Sequence, residues 1–189
     1  MKSPLTVNPE THVFNEARYI ESPNFDDRPD ESDLDLIVVH GISLPPGQFG
    51  GPGVEQLFTN QLDPNEDLYY QQIQSLKVSS HLFINRSGVL FQFVPLNRRA
   101  WHAGVSSFNG RSACNDFSIG IELEGTDKTP YTASQYQTLK DVIAAILEHY
   151  PTIPANHIQG HCDIAPGRKT DPGEYFMWQV LDGIFKEKV

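Results

Sequence analysis

Apolar and polar positions fall into a few separable rhythms along this chain. From Leu34 the sequence reads LDLIVV, a short β-branched run that predicts a strand buried on both faces and ending at His40-Gly41. Val78 to Ile84 and Val89 to Val94 predict two further strands, joined at Asn85-Arg86-Ser87-Gly88 by a hairpin turn. Phe117 to Leu123 alternates, with Ile119 and Ile121 on one face and Ser118, Gly120 and Glu122 on the other. A different period takes over at 133–149. There Tyr136, Leu139, Ile143, Ile146, Leu147 and Tyr150 mark one side of a helix, Thr132 and Gln135 form a capping box before it, and Pro151 ends it. Shorter helices are predicted over 54–62 and, at the close, over roughly 174–186. The Pro/Gly-rich stretch 44–53 reads as a surface excursion or a lid. Residues 1–33 are polar and turn-rich; they predict an arm lying on a domain of residues 34–189, with a partly disordered leader as the alternative. Strands with interspersed helices make one mixed α/β domain, with a central, mostly buried sheet flanked by helices.

Composition narrows the class. A chain of 189 residues is one domain's worth. With 14 basic against 24 acidic side chains, a formal net of −10, it lacks the basic footprint that nucleic acid or anionic lipid requires. The longest purely apolar run, Leu36 to Val39, is far below the ~20 residues of a membrane span. MKSPLTVNPE has no apolar segment of a signal peptide, and two cysteines, Cys114 and Cys162, make a disulfide framework unexpected. A reducing, cytoplasmic setting is therefore expected, and no pattern demands more than a monomer.

Candidate chemistry concentrates on histidine, which occurs seven times, at 12, 40, 81, 102, 149, 157 and 161. A catalytic zinc site takes three protein ligands and keeps one open position. His40 ends the buried strand, a rigid place for a ligand. His161 and Asp171 bracket HCDIAPGRKTD, a stretch too polar and too broken by Pro166 and Gly167 to be core. These three form the candidate metal set, with a solvated surface loop as the alternative. Asp163 is the second choice of carboxylate; the longer return to Asp171 lets the chain bend around an ion. His157 and His161 have the spacing of helical ligands, but Pro154, Gly160 and Pro166 argue against a helix there. Cys162, adjacent to His161 in an extended segment, points away from it and serves poorly as an activated thiol. Glu122, on the polar side of its strand, is the candidate general base, and Glu124 shares its face; a strand-edge charge facing solvent is the alternative. Lys169, two residues before Asp171, projects the same way and is placed to stabilise an oxyanion. Together these residues suggest a metal hydrolase without naming the bond it cuts.

The stretches VVHGISLPPGQFGGPGVEQLF, VSSHLFINRSG, RRAWHAGVSSFNGR, CNDFSIGIELEGTD and GHCDIAPGRKTDPG resemble, in order, those of the AmpD-type N-acetylmuramoyl-L-alanine amidases. That group is related to the peptidoglycan recognition proteins. The resemblance covers about Leu36 to Pro172 and implies that fold, one Zn²⁺ per chain, and hydrolysis of the lactyl–L-Ala amide of 1,6-anhydro-muropeptides in cytoplasmic peptidoglycan recycling. By motif it implies zinc ligands at His40, His161 and Asp171 and catalytic roles for Glu122 and Lys169. Trp101 and His102 match the region lining the sugar pocket, a core tryptophan being the alternative for Trp101. Two positions depart from the pattern: Gly41 replaces an asparagine, and Ala113 stands where an arginine gripping the stem peptide is expected, which would shift that anchoring to Lys77 or Arg111. A non-catalytic muropeptide-binding module on the same fold is the second reading; the complete metal set with Glu122 and Lys169 favours an enzyme.

Overall fold

The computed structural model describes residues 4–183. Its elements in chain order are β1 (Arg18–Tyr19), β2 (Phe25–Asp26), β3 (Leu36–Ile42), α1 (Gly53–Phe58), α2 (Leu68–Ile73), β4 (Leu82–Ile84), β5 (Leu90–Gln92), β6 (Arg99–Ala100), β7 (Ser107–Phe108), β8 (Arg111–Ser112), β9 (Ser118–Glu124), α3 (Ala133–His149), β10 (Ile158–Gly160) and α4 (His161–Ile164). Single 3-10 turns cover Cys114–Asp116 and Trp178–Leu181. The main sheet has the order β1-β5-β4-β9-β3-β10. Strands β4, β9, β3 and β10 run parallel, β5 turns back antiparallel on β4 through the hairpin, and β1 lies parallel to β5 at the edge. No helix among the described residues is long and apolar enough to cross a membrane.

Alternation along the strands gives the sheet two unlike faces. Ile37 and Val39 of β3, Ile119, Ile121 and Leu123 of β9, and Leu82 and Ile84 of β4 join one core cluster with Leu139, Val142, Ile143 and Ile146 of α3. The capping box holds: Gln135 N–H donates to Thr132 Oγ1 at 3.1 Å and Thr132 N–H to Gln135 Oε1 at 3.0 Å, satisfying two groups that a helix start leaves open. On the opposite face Leu36 and Val38 pack with Ala103, Cys114, Phe117 and Ile164, while Phe83, Phe91 and Phe93 pack with Val54, Leu57 and Phe58 of α1.

The mixed α/β architecture is the one that the pattern of strands and helices predicts, with local differences. Strand β3 continues past His40-Gly41 to Ile42, because its parallel ladder with β9 runs on to Glu124. The hairpin strands are shorter than predicted, three residues each, and α1 stops at Phe58, where Asn60 takes a positive φ of 60°. The predicted closing helix is a 3-10 turn over Trp178–Leu181 within the described residues, and the rest of its range lies outside them. In the segment 1–33, Leu5 and Phe14 are buried in the α3-side core and Arg28 is only 5% exposed.

Candidate active site

Parallel strands align their carboxyl ends, and open α/β sheets bind ligands outside those ends. His40 and Glu122 are register partners on β3 and β9, so their side chains leave the sheet side by side on the face away from α3. Gly160 pairs with Val39, and His161 follows at once as the first residue of α4, which brings it beside His40. The return loop closes the group. Cys162 N–H donates to the Asp171 carbonyl at 2.9 Å, fixing the end of the 161–171 excursion next to its start.

The resulting geometry is tight. His40 Nδ1 lies 3.0 Å from His161 Nδ1, and Asp171 Oδ2 lies 3.3 Å from the first and 3.1 Å from the second. His161 Nε2 faces the Ala103 carbonyl at 3.1 Å, so its proton sits there and its Nδ1 lone pair faces the cluster. Burial pushes the His40 imidazole down to about 4, so it is neutral near pH 7. Two imidazole lone pairs and a carboxylate oxygen at such distances repel one another unless a cation lies among them. Two nitrogens and one oxygen are also the donor types of a catalytic zinc site. The group therefore fits a zinc ion, and it is the sole group of three or more potential metal ligands among the described residues.

Around it lies a cleft of about 680 Å³. Trp101, His102, Glu122, Lys169 and Asp171 line it, together with Leu57, Phe58, Tyr69, Ile73 and Leu76. Glu122 is 9% exposed, and its Oε2 is buried without a hydrogen-bond partner. Burial, and secondarily the charge of Asp171, pushes its carboxyl well above the ordinary value, while Lys169 works in the opposite direction. A solvated strand-edge charge is not what the fold makes of it, since β9 runs between β3 and β4. Neighbouring Glu124 acts as a tether instead. Its Oε1 accepts from Gly50 N–H at 2.5 Å and its Oε2 from Arg86 N–H at 2.8 Å, tying the 44–53 loop and the hairpin turn to β9.

The family model of N-acetylmuramoyl-L-alanine amidases matches residues 30–174. The chain belongs to the N-acetylmuramoyl-L-alanine amidase family. Like its relatives, this amidase is a hydrolase. It is 57% identical over 163 residues to the 1,6-anhydro-N-acetylmuramyl-L-alanine amidase AmpD of Citrobacter freundii, covering 86% of this chain and 87% of that one. A crystal structure of a selenomethionine AmpD derivative superposes with a TM-score of 0.89 at 53% identity, over 92% of this chain and 97% of that one. The AmiD amidase of E. coli, solved in complex with anhydro-N-acetylmuramic acid-L-Ala-D-gamma-Glu-L-Lys, gives 0.58 at 30% identity, over 80% of this chain and 57% of that one.

Other residues singled out in the sequence of this amidase lie apart from the cluster. His157 Nδ1 faces the Asp35 carboxylate at 3.1 Å. Asp163 Oδ2 accepts from Gly160 N–H at 2.8 Å at the start of α4. Arg111 is engaged with Asp33 and Asp35, its guanidinium 3.9 Å over the Phe117 ring, and does not line the cleft. Lys77 is exposed and does not line it either, and Ala113 sits at φ 59° ahead of the 114–116 turn. The cationic side chains that do line the cleft are Lys128, Arg168 and Lys169, and Arg168 is already spent on the carbonyls of Ala103 and Val105. Trp101 lines the cleft with its Nε1–H donated to Asp26 Oδ1 at 3.1 Å, so it is not a core tryptophan. At Gly41 an added Cβ would lie 2.4 Å from the Tyr131 hydroxyl, which itself donates to the Pro172 carbonyl at 2.8 Å.

Sequence reasoning missed a buried polar layer beneath the site. His81 Nδ1 accepts from Gly120 N–H at 3.0 Å while its Nε2–H faces the Arg98 carbonyl at 2.9 Å, and burial holds this imidazole well below its ordinary value. Arg28 donates to the carbonyls of Asn115, Leu96 and Ser118. Burial lowers its guanidinium to about 10, so it stays charged at neutral pH. The sequence signal for this layer is His81, which directly precedes the apolar run Leu82-Phe83-Ile84.

Proposed function

We propose that this amidase is zinc-dependent and hydrolyses the amide between the lactyl group of 1,6-anhydro-N-acetylmuramic acid and the L-alanine of the stem peptide, acting on soluble muropeptides in the cytoplasm during peptidoglycan recycling. The observation that carries the reading is the convergence of His40 Nδ1, His161 Nδ1 and Asp171 Oδ2 on a cleft that also holds Glu122 and Lys169. The substrate class is supported by the names of the relatives at 57% and 53% identity. His40, His161 and Asp171 would hold the ion. When bound there, zinc supplies Lewis acidity toward a carbonyl oxygen and makes water a better nucleophile.

The protein's own groups do the rest. A carboxylate destabilised by burial is a stronger base than a solvated one, so Glu122 takes the proton of the attacking water and hands it to the departing alanine nitrogen. Lys169 sets its ammonium group toward the carbonyl oxygen on which negative charge develops, an effect worth about 3 kcal/mol for a well-aimed donor. Trp101, held by Asp26, offers an apolar platform to the sugar ring.

Mass spectrometry of purified protein incubated with 1,6-anhydro-muramoyl tripeptide tests the reading. Free tripeptide and anhydro-sugar are expected; release should stop with a zinc chelator and resume when zinc is restored. Intact substrate in every tube would overturn the substrate, and release unaffected by complete removal of metal would overturn the zinc dependence.

A further inference from the structure

Both ligand histidines rest on a single dipeptide, His102-Ala103. His40 Nε2 lies 2.9 Å from His102 Nδ1, and His161 Nε2 lies 3.1 Å from the Ala103 carbonyl. The dipeptide is itself pinned, because the side-chain oxygen of Asn115 accepts from His102 N–H at 3.1 Å and from Ala103 N–H at 2.8 Å. His102 Nε2 continues the chain to Ser118 Oγ at 3.2 Å, and Ser118 Oγ reaches the Cys114 carbonyl at 2.5 Å.

The direction of every bond in this chain follows from its last member. A carbonyl can only accept, so the Ser118 hydroxyl spends its proton on Cys114. Ser118 Oγ must then accept, which puts a proton on His102 Nε2 and leaves a lone pair on Nδ1. That lone pair takes the Nε2–H of His40, and His40 Nδ1 is left bare toward His161 and Asp171. Backbone polarity at Cys114 thus selects a tautomer three groups away. Space for the relay comes from Gly120, where a Cβ would lie 2.6 Å from the His102 ring.

The geometry points to His102 as a positioning residue for the metal site, fixing the tautomer and ring orientation of His40 through Ser118, rather than as a sugar-contacting residue: both of its ring nitrogens are already committed. The inference rests on the zinc reading above. Partners of this kind govern metal affinity, and losing one costs about 10–100-fold.

Zinc affinity measured by competition with a chromophoric chelator, and the visible spectrum of the Co²⁺-substituted protein, test the inference alongside the melting temperature of the metal-free form. His102→Ala is expected to weaken zinc binding by about 10–100-fold, and to alter the Co²⁺ spectrum in a protein whose metal-free form still melts cooperatively. His102→Asn, which keeps an acceptor for His40 Nε2–H, should recover most of the loss. Should His102→Ala fail to fold, Ser118→Ala serves in its place, since it leaves the imidazole but frees its direction, and a measurable loss of affinity with an altered Co²⁺ spectrum is again expected. Parent-like affinity and spectrum in the folded variants would overturn the positioning role while leaving the zinc reading intact. A parent protein that binds no zinc would overturn both.

Discussion

The two faces of the central sheet are built from alternate residues of the same strands, yet they obey different rules. Toward α3, β3 and β9 present Ile37, Val39, Ile119, Ile121 and Leu123, all fully buried against aliphatic side chains of the helix. On the other face β3 begins with Leu36 and Val38, but beyond them the two strands present His40, Ser118, Gly120, Glu122 and Glu124, nearly as buried but polar or lacking a side chain. Burial of polar groups is costly unless each is hydrogen-bonded, and most of these are, through directed pairs. Glu122 Oε2 is the exception. One face holds the domain together by area and shape. The other uses the rigidity so gained to keep reactive groups at set distances.

Substitutions at adjacent positions of β9 separate the two roles. Glu122→Gln should reduce kcat by about 10²–10⁴-fold, the usual loss of a general acid–base group, while the melting temperature holds or rises because a buried carboxylate without a partner is removed. Peptide release and thermal melting on the same preparation read both effects, and a variant retaining parental kcat would remove Glu122 from the chemistry. Its neighbour Ile121→Ala should show the reverse, losing about 2–5 kcal/mol of stability in denaturant titration. The protein still folded should keep parental zinc stoichiometry and turnover. A smaller effect is expected at the cleft margin. Asp26 is held below its ordinary value of 3.8, chiefly by its hydrogen bond from Arg99. A carboxyl lowered by folding stabilises the protein above its unfolded value, and that contribution is lost as the pH falls through the folded one. Asp26→Asn should therefore lower the melting temperature slightly at neutral pH and flatten the acid limb below about pH 4, the two profiles converging in acid; profiles that coincide at every pH would show that the Arg99 pair contributes nothing to stability.

What the sequence made legible follows the same division. The helix-side face announces itself by period: α3 with its capping box, the apolar run of β3 and the alternation of β9 can be read without a fold. The return from His161 to Asp171 reads as a loop too polar for core, yet its first turn is α4, and Ile164 there packs with Leu36 and Val38. Contacts between distant segments are not legible. Arg111 and Lys77 carry the charge that a stem peptide would want, but only the fold reveals Asp33 and Asp35 beside Arg111 and leaves Lys77 outside the cleft. Arg28, in a stretch that reads as a polar arm, is buried under four backbone carbonyls for the same reason. His102 sits in a motif that points to a sugar pocket, while its partners, His40 and Ser118, lie 62 and 16 residues away.

The bare α-carbon at position 120 sets a rule for how this surface can change. Because a methyl group there would meet the His102 ring at 2.6 Å, no side chain can enter at 120 while an imidazole occupies 102. Libraries that randomise 120 alone should return glycine among functional clones. Libraries that randomise 102 and 120 together and are screened for folding alone should return pairs in which a smaller residue at 102 accompanies a larger one at 120, so that sterically the two positions, 18 apart in the chain, drift as one.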